Sequence, residues 1–154
     1  MGKFTKTIHD FRKKVDKQTT KVYSTSCERI SAQIAERTPV STGKLLGQWS
    51  PSVGSRSRYN YEGGQSAWHI LGKDESIAAM NRISAMNNLM SRISFATSAL
   101  NKKESYHFTN HTSYARRAEY QGWKFTGPYF MVLTSIQEWA SIVKSVGLTV
   151  KRYG

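Results

Sequence analysis

The chain is poor in the residues from which most small chemical sites are built. Its 154 residues include a single cysteine, Cys27, which excludes an internal disulfide framework and a cysteine-ligated metal cluster. A lone thiol of this kind is expected to be buried and inert. Acids are scarce, 10 Asp and Glu against 23 Lys and Arg, and too scattered for the clustered carboxylates of a two-metal nuclease centre. No Cys-Xaa-Xaa-Cys, Gly-Xaa-Ser-Xaa-Gly or phosphate-loop pattern occurs. His107-Phe-Thr-Asn-His111 and Glu104-Ser-Tyr-His107 have ligand-like spacing only on a helix. On a strand the two histidines stand about 13 Å apart. No apolar run reaches the ~18 residues of a membrane span, and the charged opening MGKFTKTIHDF lacks a signal-peptide core. The expectation is a non-enzymatic protein with no cofactor, no metal and no membrane association.

What is abundant is positive charge and aromatic surface. The net charge is +13: residues 1–21 carry +5, residues 144–154 carry +3, and the long middle holds the rest. Such a field favours nucleic acid or acidic protein surfaces and is silent about fold. Aromatic content of 12%, with four Trp, suits one globular domain over residues 1–154 whose large rings do much of the packing.

The spacing of Phe4, Ile8, Phe11, Val15, Val22, Ile30 and Ile34, with no Gly or Pro between residues 3 and 38, predicts one long basic helix over 1–37. Its stripe thins where Thr19 and Ser26 face the core side. The first half therefore either reaches beyond the domain to another subunit or is a flexible basic arm. Thr38-Pro39 ends the helix. Residues 45–53 are a strand candidate with Leu46, Trp49 and Val53 buried and Pro51 at an edge or bulge. Residues 54–66 read as an exposed loop and 67–71 as a short strand. Asp74 caps a helix with Ile77, Met80, Ile83, Met90 and Ile93 on its apolar face. In residues 106–110, Tyr106, Phe108 and Asn110 alternate with His107 and Thr109, a half-buried strand. A last helix over 128–145 carries Phe130, Leu133, Ile136, Ala140 and Val143, with Gly147 ending it and 148–154 a short strand or tail. The fold expected is α+β: long N-terminal and C-terminal helices on a small antiparallel sheet, with an additional middle helix.

Between them lies YHFTNHTSYARRAEYQG at 106–122. Tyr114 and Ala115 are expected inward, Arg116 and Arg117 in water, Glu119 paired with one of those bases or a neighbour's and accepting backbone bonds, and Gly122 at the stop of the turn. This corner resembles that of the tail-completion (neck) proteins of long-tailed bacteriophages. There a strand ending in Asn is followed by a Tyr-Ala pair and a glutamate shortly before glycine. Upstream, TPVSTGK at 38–44 with Trp49 following, and downstream, GPYFMVL at 127–133, match the same family in order, the likeness covering 28–143. It differs by Gln121 before Gly122 and by Ser113 where proline is usual.

The resemblance implies a structural virion protein at the head-tail interface, a homohexameric ring joining a head-tail connector or stopper protein to the tail tube or tail terminator protein. It would be made in the host cytoplasm and have passing contact with genomic double-stranded DNA. Ring or partner contacts are expected at Phe4, Ile8, Phe11, Arg12, Lys13 and Lys14, and in the loop at Arg56, Arg58, Tyr59 and Tyr61. The alternative is a small basic nucleic-acid-binding protein, in which Arg56, Arg58, Tyr59 and Tyr61 pair phosphates and stack bases. No helix-turn-helix or RNA-recognition signature accompanies them.

Overall fold

The computed structural model describes residues 3–39, 44–58, 75–122 and 127–153. The fold is α+β. Helix α1 is Lys3–Arg37, followed by a single turn α2, Lys44–Gly47, and strand β1, Trp49–Val53. Helix α3, Glu75–Ser98, strand β2, Tyr106–Asn110, and short α4, Ala115–Tyr120, lead to α5, Met131–Gln137, and α6, Trp139–Tyr153. The two strands pair antiparallel, Trp49 opposite Asn110 and Val53 opposite Tyr106. Each strand of a two-stranded sheet is an edge, so Pro51 sits within β1 without an inner neighbour to bond.

At about 1.5 Å per residue the 35-residue α1 is some 52 Å long, and the other helices occupy only part of it. Arg37 meets Ser135 and Glu138, and Arg29 Nη1 donates to Ser145 Oγ at 3.2 Å. Val22 and Ile30 pack against Ile142, Val146 and Val150. Helices α5 and α6 thus run antiparallel along α1 from its C-terminal end back to Val22. On another side, Ile34 and Ala35 join Leu45, Leu46, Trp49, Ala85, Leu89, Ile93, Ala118 and Met131 in the main core.

Thr38 and Trp49 fasten α1 to the sheet. The Thr38 hydroxyl donates to Ile34 O at 2.7 Å and accepts from Trp49 Nε1 at 2.9 Å, so the helix end and the indole satisfy each other while both residues are buried. The Trp49 ring stacks on Phe108 with centroids 4.8 Å apart, the diagonal neighbour across the strands. Arg92 of α3 donates to Trp49 O and Gly47 O at 3.0 and 3.1 Å.

Several sequence expectations are corrected. The strand expected over 45–53 begins only at Trp49: adjacent Leu45 and Leu46 are both buried, which alternating strand faces forbid and a helical turn allows. On α3, Met80 and Ile83 are exposed, and the core side is Ala85, Leu89 and Ile93. The helix expected over 128–145 starts at Met131, after Phe130 in the left-handed region (φ 45°), breaks at Glu138 and continues to Tyr153. Its expected stripe faces the wrong way. Phe130, Leu133, Ile136 and Ala140 are exposed, whereas Met131, Ser135, Ile142, Val146 and Val150 are buried. Gly147 does not end α6, because Val146 and Val150 pack on either side of it and outweigh the roughly 1 kcal/mol that a mid-helix glycine costs. The expected strand at 67–71, the cap at Asp74 and the Ile77 side chain lie outside the described residues.

Cys27 is a buried residue of α1, with Tyr23 of the same helix and Tyr106 of β2 nearby. Burial pushes the thiol from 9.0 up to about 11, opposed by the neighbouring Tyr23 hydroxyl. Burial also raises both tyrosines, with the Ser31 bond opposing the shift at Tyr106. A group whose pKa is higher folded than unfolded contributes stability that is complete below the unfolded value and lost as pH climbs through the folded one. Urea midpoints are therefore expected to hold level up to pH about 9 and fall between about 9 and 11. Cys27→Ala should shallow that fall, and an identical slope in the variant would remove the thiol from the account.

Candidate functional site

The corner forms where β2 ends. Asn110 directs the chain out of the strand: its Nδ2 donates to Leu45 O at 2.7 Å, and its Oδ1 accepts from Thr112 N and Oγ1 at 3.0 and 2.7 Å. One side chain thereby ties α2, β2 and the following turn together, the use to which Asn is suited by having a donor and an acceptor. Tyr114 and Ala115 turn inward against the main core, and Arg116 and Arg117 are exposed. Helix α4 ends at Tyr120 with Gln121 as its C-cap, and the next residue, Gly122, takes φ 69° and donates to Arg117 O at 2.9 Å, the glycine-stopped helix end.

Glu119 is 4% exposed, and its partners among the described residues are backbone N–H groups. Val132 N lies 3.1 Å from both carboxylate oxygens, and Leu133 N donates to Oε1 at 2.9 Å. The expected pairing with Arg116 or Arg117 is corrected: among the described residues the acid receives backbone N–H groups, and Arg117 Nε turns to Gly122 O. The N-cap residue of α5, Phe130, supplies no side-chain cap. Glu119 fills that role from outside, placing a negative charge at the positive end of the helix. Tyr129 N and Phe130 N in turn donate to Ala118 O and Glu119 O at 3.1 and 3.2 Å, so the end of α4 and the start of α5 satisfy each other.

Arg37 completes this frame, donating to Ser135 Oγ at 2.7 Å and Glu138 Oε1 at 2.6 Å where α5 gives way to α6. Neither Arg37 nor Arg92 is marked by any local sequence signal, because each bonds groups far away in the chain.

The second feature is the free half of α1. Residues 4–15 are all exposed, about 18 Å of helix beyond the body. Phe4 is 77% exposed, Ile8 52%, Phe11 69% and Val15 41%. Arg12, Lys13 and Lys14 are exposed beside them. The alternative of a flexible basic arm is not what is found: these residues are helical and continuous with the packed half. Asp16, at the foot of this segment, pairs with Lys102 of the turn before β2, and that hydrogen bond holds its carboxyl below the usual range. Arg56 and Arg58 are exposed beyond β1; Tyr59 and Tyr61 lie outside the described residues. The arm and Arg56/Arg58 belong to different segments, and no hydrogen bond or ion pair joins them among the described residues.

His107 and His111 stand on and just after β2, the former bonded to Ser105 Oγ at 3.1 Å, and the Glu104 carboxylate accepts from Asn101 N at 3.1 Å. Among the described residues no group of three or more His, Cys, Asp or Glu could hold a metal ion. No helix among them is long and apolar enough to cross a membrane.

Replacing Glu119 by Ala is expected to lower unfolding free energy by about 3 kcal/mol, since it leaves two part-buried N–H groups without their acceptor. Glu119→Gln keeps one acceptor oxygen but loses the charge and turns the other oxygen into an amide donor, costing about 1–2 kcal/mol. Arg116→Gln should stay within about 0.5 kcal/mol. Urea titration of the three variants checks the order, and an arginine effect equal to that of the acid would restore the ion-pair reading.

Comparison with family models, with curated proteins and with solved structures finds no match for this chain.

Proposed function

We propose that this chain is a non-enzymatic structural subunit of a tailed-phage virion, a tail-completion or neck protein. It closes into a homohexameric ring between the head-side connector or stopper and the tail tube or terminator. One observation carries the assembly part of this reading: large apolar side chains are left uncovered in lines. Phe4, Ile8, Phe11 and Val15 run along α1, and Phe130, Leu133 and Ile136 along α5, with Met80, Ile83 and Phe95 exposed on α3. Single exposed apolar residues are ordinary; rows of them on a soluble chain mark surfaces that other proteins cover. The exposed apolar residues of α3 and α5 suit a heterologous, ring-forming contact, in which one patch meets another on the next copy. The neck assignment within that class rests on the resemblance of residues 28–143. The Asn110-to-Gly122 corner supports it by behaving as one folded unit.

The charge has a consistent place in this reading. A ring that double-stranded DNA must pass through quickly should not grip it, because each phosphate neutralised adds to a salt-dependent affinity. The bases of the arm therefore face acidic protein surfaces outside the lumen, where complementarity steers encounter and register.

Native mass spectrometry of the purified protein, with and without virion components, is expected to show a six-membered ring under at least one condition. Changing Lys13, Lys14 and Lys17 to Gln should leave DNA retention nearly unaltered and weaken joining to tails or connectors by about tenfold or more. A large loss of DNA binding with normal joining would select the small basic nucleic-acid-binding protein instead.

A further inference from the structure

We infer that the free half of α1 is a docking arm whose occupant is a helix of another protein with carboxylates flanking its apolar seam. The inference rests on the assembly reading above, and it names the partner's chemistry.

Phe4, Ile8, Phe11 and Val15 are spaced four, three and four residues apart, and seven more lead to Val22. This is the alternating seam of a helix that receives another helix. The stripe is narrow, roughly 60° of arc, against the 100° or more of a helix that lies on a globular core or in a lipid interface. Its borders are polar: Thr5, Arg12 and Thr19 on one side, Thr7, Lys14 and Lys21 on the other. A side chain entering this seam needs a partner ridge as narrow as itself. Farther along α1 the same line already holds a helix, since Val22 packs against the Ile142, Val146 and Val150 side of α6. An incoming helix would prolong the track of α6 over Val15, Phe11, Ile8 and Phe4.

Charge decides what that helix carries. The seam borders present Arg12, Lys14 and Lys21 and no acid. Where α6 gives out, its last turn adds Lys151 and Arg152. Asp10 points away from the seam by helix geometry, and Asp16 is bound to Lys102. A second copy of α1 would bring the same uncompensated bases to the contact, and like charges across such a seam disfavour pairing. Flanking Glu or Asp on the incoming helix would satisfy every base at the border at once.

The test uses the full chain and a synthetic four-heptad peptide with Ile and Leu in its seam and Glu at both flanking positions, beside a twin with Lys at those positions. The Glu peptide is expected to bind at physiological salt, and the Lys twin at least about tenfold more weakly. Ile8→Asn with Phe11→Asn leaves every base in place and should cost about tenfold or more in affinity. Arg12→Gln with Lys14→Gln and Lys21→Gln should do the same by the other route. Because Ile8 and Phe11 are exposed, the apolar-seam variant should keep its circular dichroism and urea midpoint.

Equal binding by the native chain and the Ile8/Phe11 variant would reduce the effect to bare charge attraction and overturn the inference. Seam-dependent self-association in sedimentation velocity would put a second copy in the seam instead. Seam-dependent binding to vesicles containing phosphatidylserine, in preference to the peptide, would put a membrane there. A chain that forms its ring but ignores the Glu peptide overturns the arm and leaves the ring. A chain that binds the peptide through its seam but never assembles with virion components does the reverse.

Discussion

The carboxylate of Glu119 holds the C-terminal third of the chain in place. It is buried without an ion pair among the described residues and receives the first free N–H groups of α5. A buried charge is tolerable only where hydrogen bonds and oriented dipoles replace the water it has lost. Here two backbone donors and a helix N-terminus supply them. The geometry works because α4 and α5 exchange backbone bonds through Tyr129 and Phe130. That exchange takes Phe130 into a left-handed conformation, uncommon for a large side chain. The corner therefore fixes the direction in which α5 leaves, and α5 sets the line that α6 follows along α1.

Around that corner the molecule is joined by single side chains that each hold two groups, at least one of them on another element. Arg37 binds Ser135 and Glu138, Arg92 binds the carbonyls of Gly47 and Trp49, Asn110 binds Leu45 and Thr112, and Thr38 links α1 to Trp49. Two strands of five residues make a sheet too small to be stable alone. Helix α3 and the Trp49–Phe108 stack give it the apolar cover it needs. A small core thus rests on a few polar joints, consistent with a modest hydrophobic content of 38%.

The two halves of α1 obey one sequence pattern and meet different fates. From Val22 onward the stripe is covered by α6 and the main core; among the described residues, 4–15 are all exposed. The exposed segment is also basic, with Lys6, Arg12, Lys13 and Lys14 against the single acid Asp10. Apolar knobs set between bases are the surface on which the proposed docking of another chain rests.

Some of this was determined by the sequence alone. The uninterrupted span from residue 3 to Thr38 and the proline after it set α1 to within a residue or two. The alternation at 106–110 set β2, and Gly122 marked the end of α4, because those signals act between neighbours in the chain. Tertiary structure decided which face of each helix is inside. The stripe at Phe130, Leu133 and Ile136 satisfies the helical period as well as Met131, Ser135, Ile142, Val146 and Val150 do across the break at Glu138. Periodicity says that a face exists and cannot say what lies opposite it. That choice fell to the cap on Glu119 and the clamp at Arg37, contacts made by residues that are 13 to 101 positions apart in the chain. Local propensity carries no information about a bond of that length, so the cap that Glu119 makes on α5 could be read only after the chain had folded, whereas the thinning stripe of α1 already pointed to an arm beyond the domain.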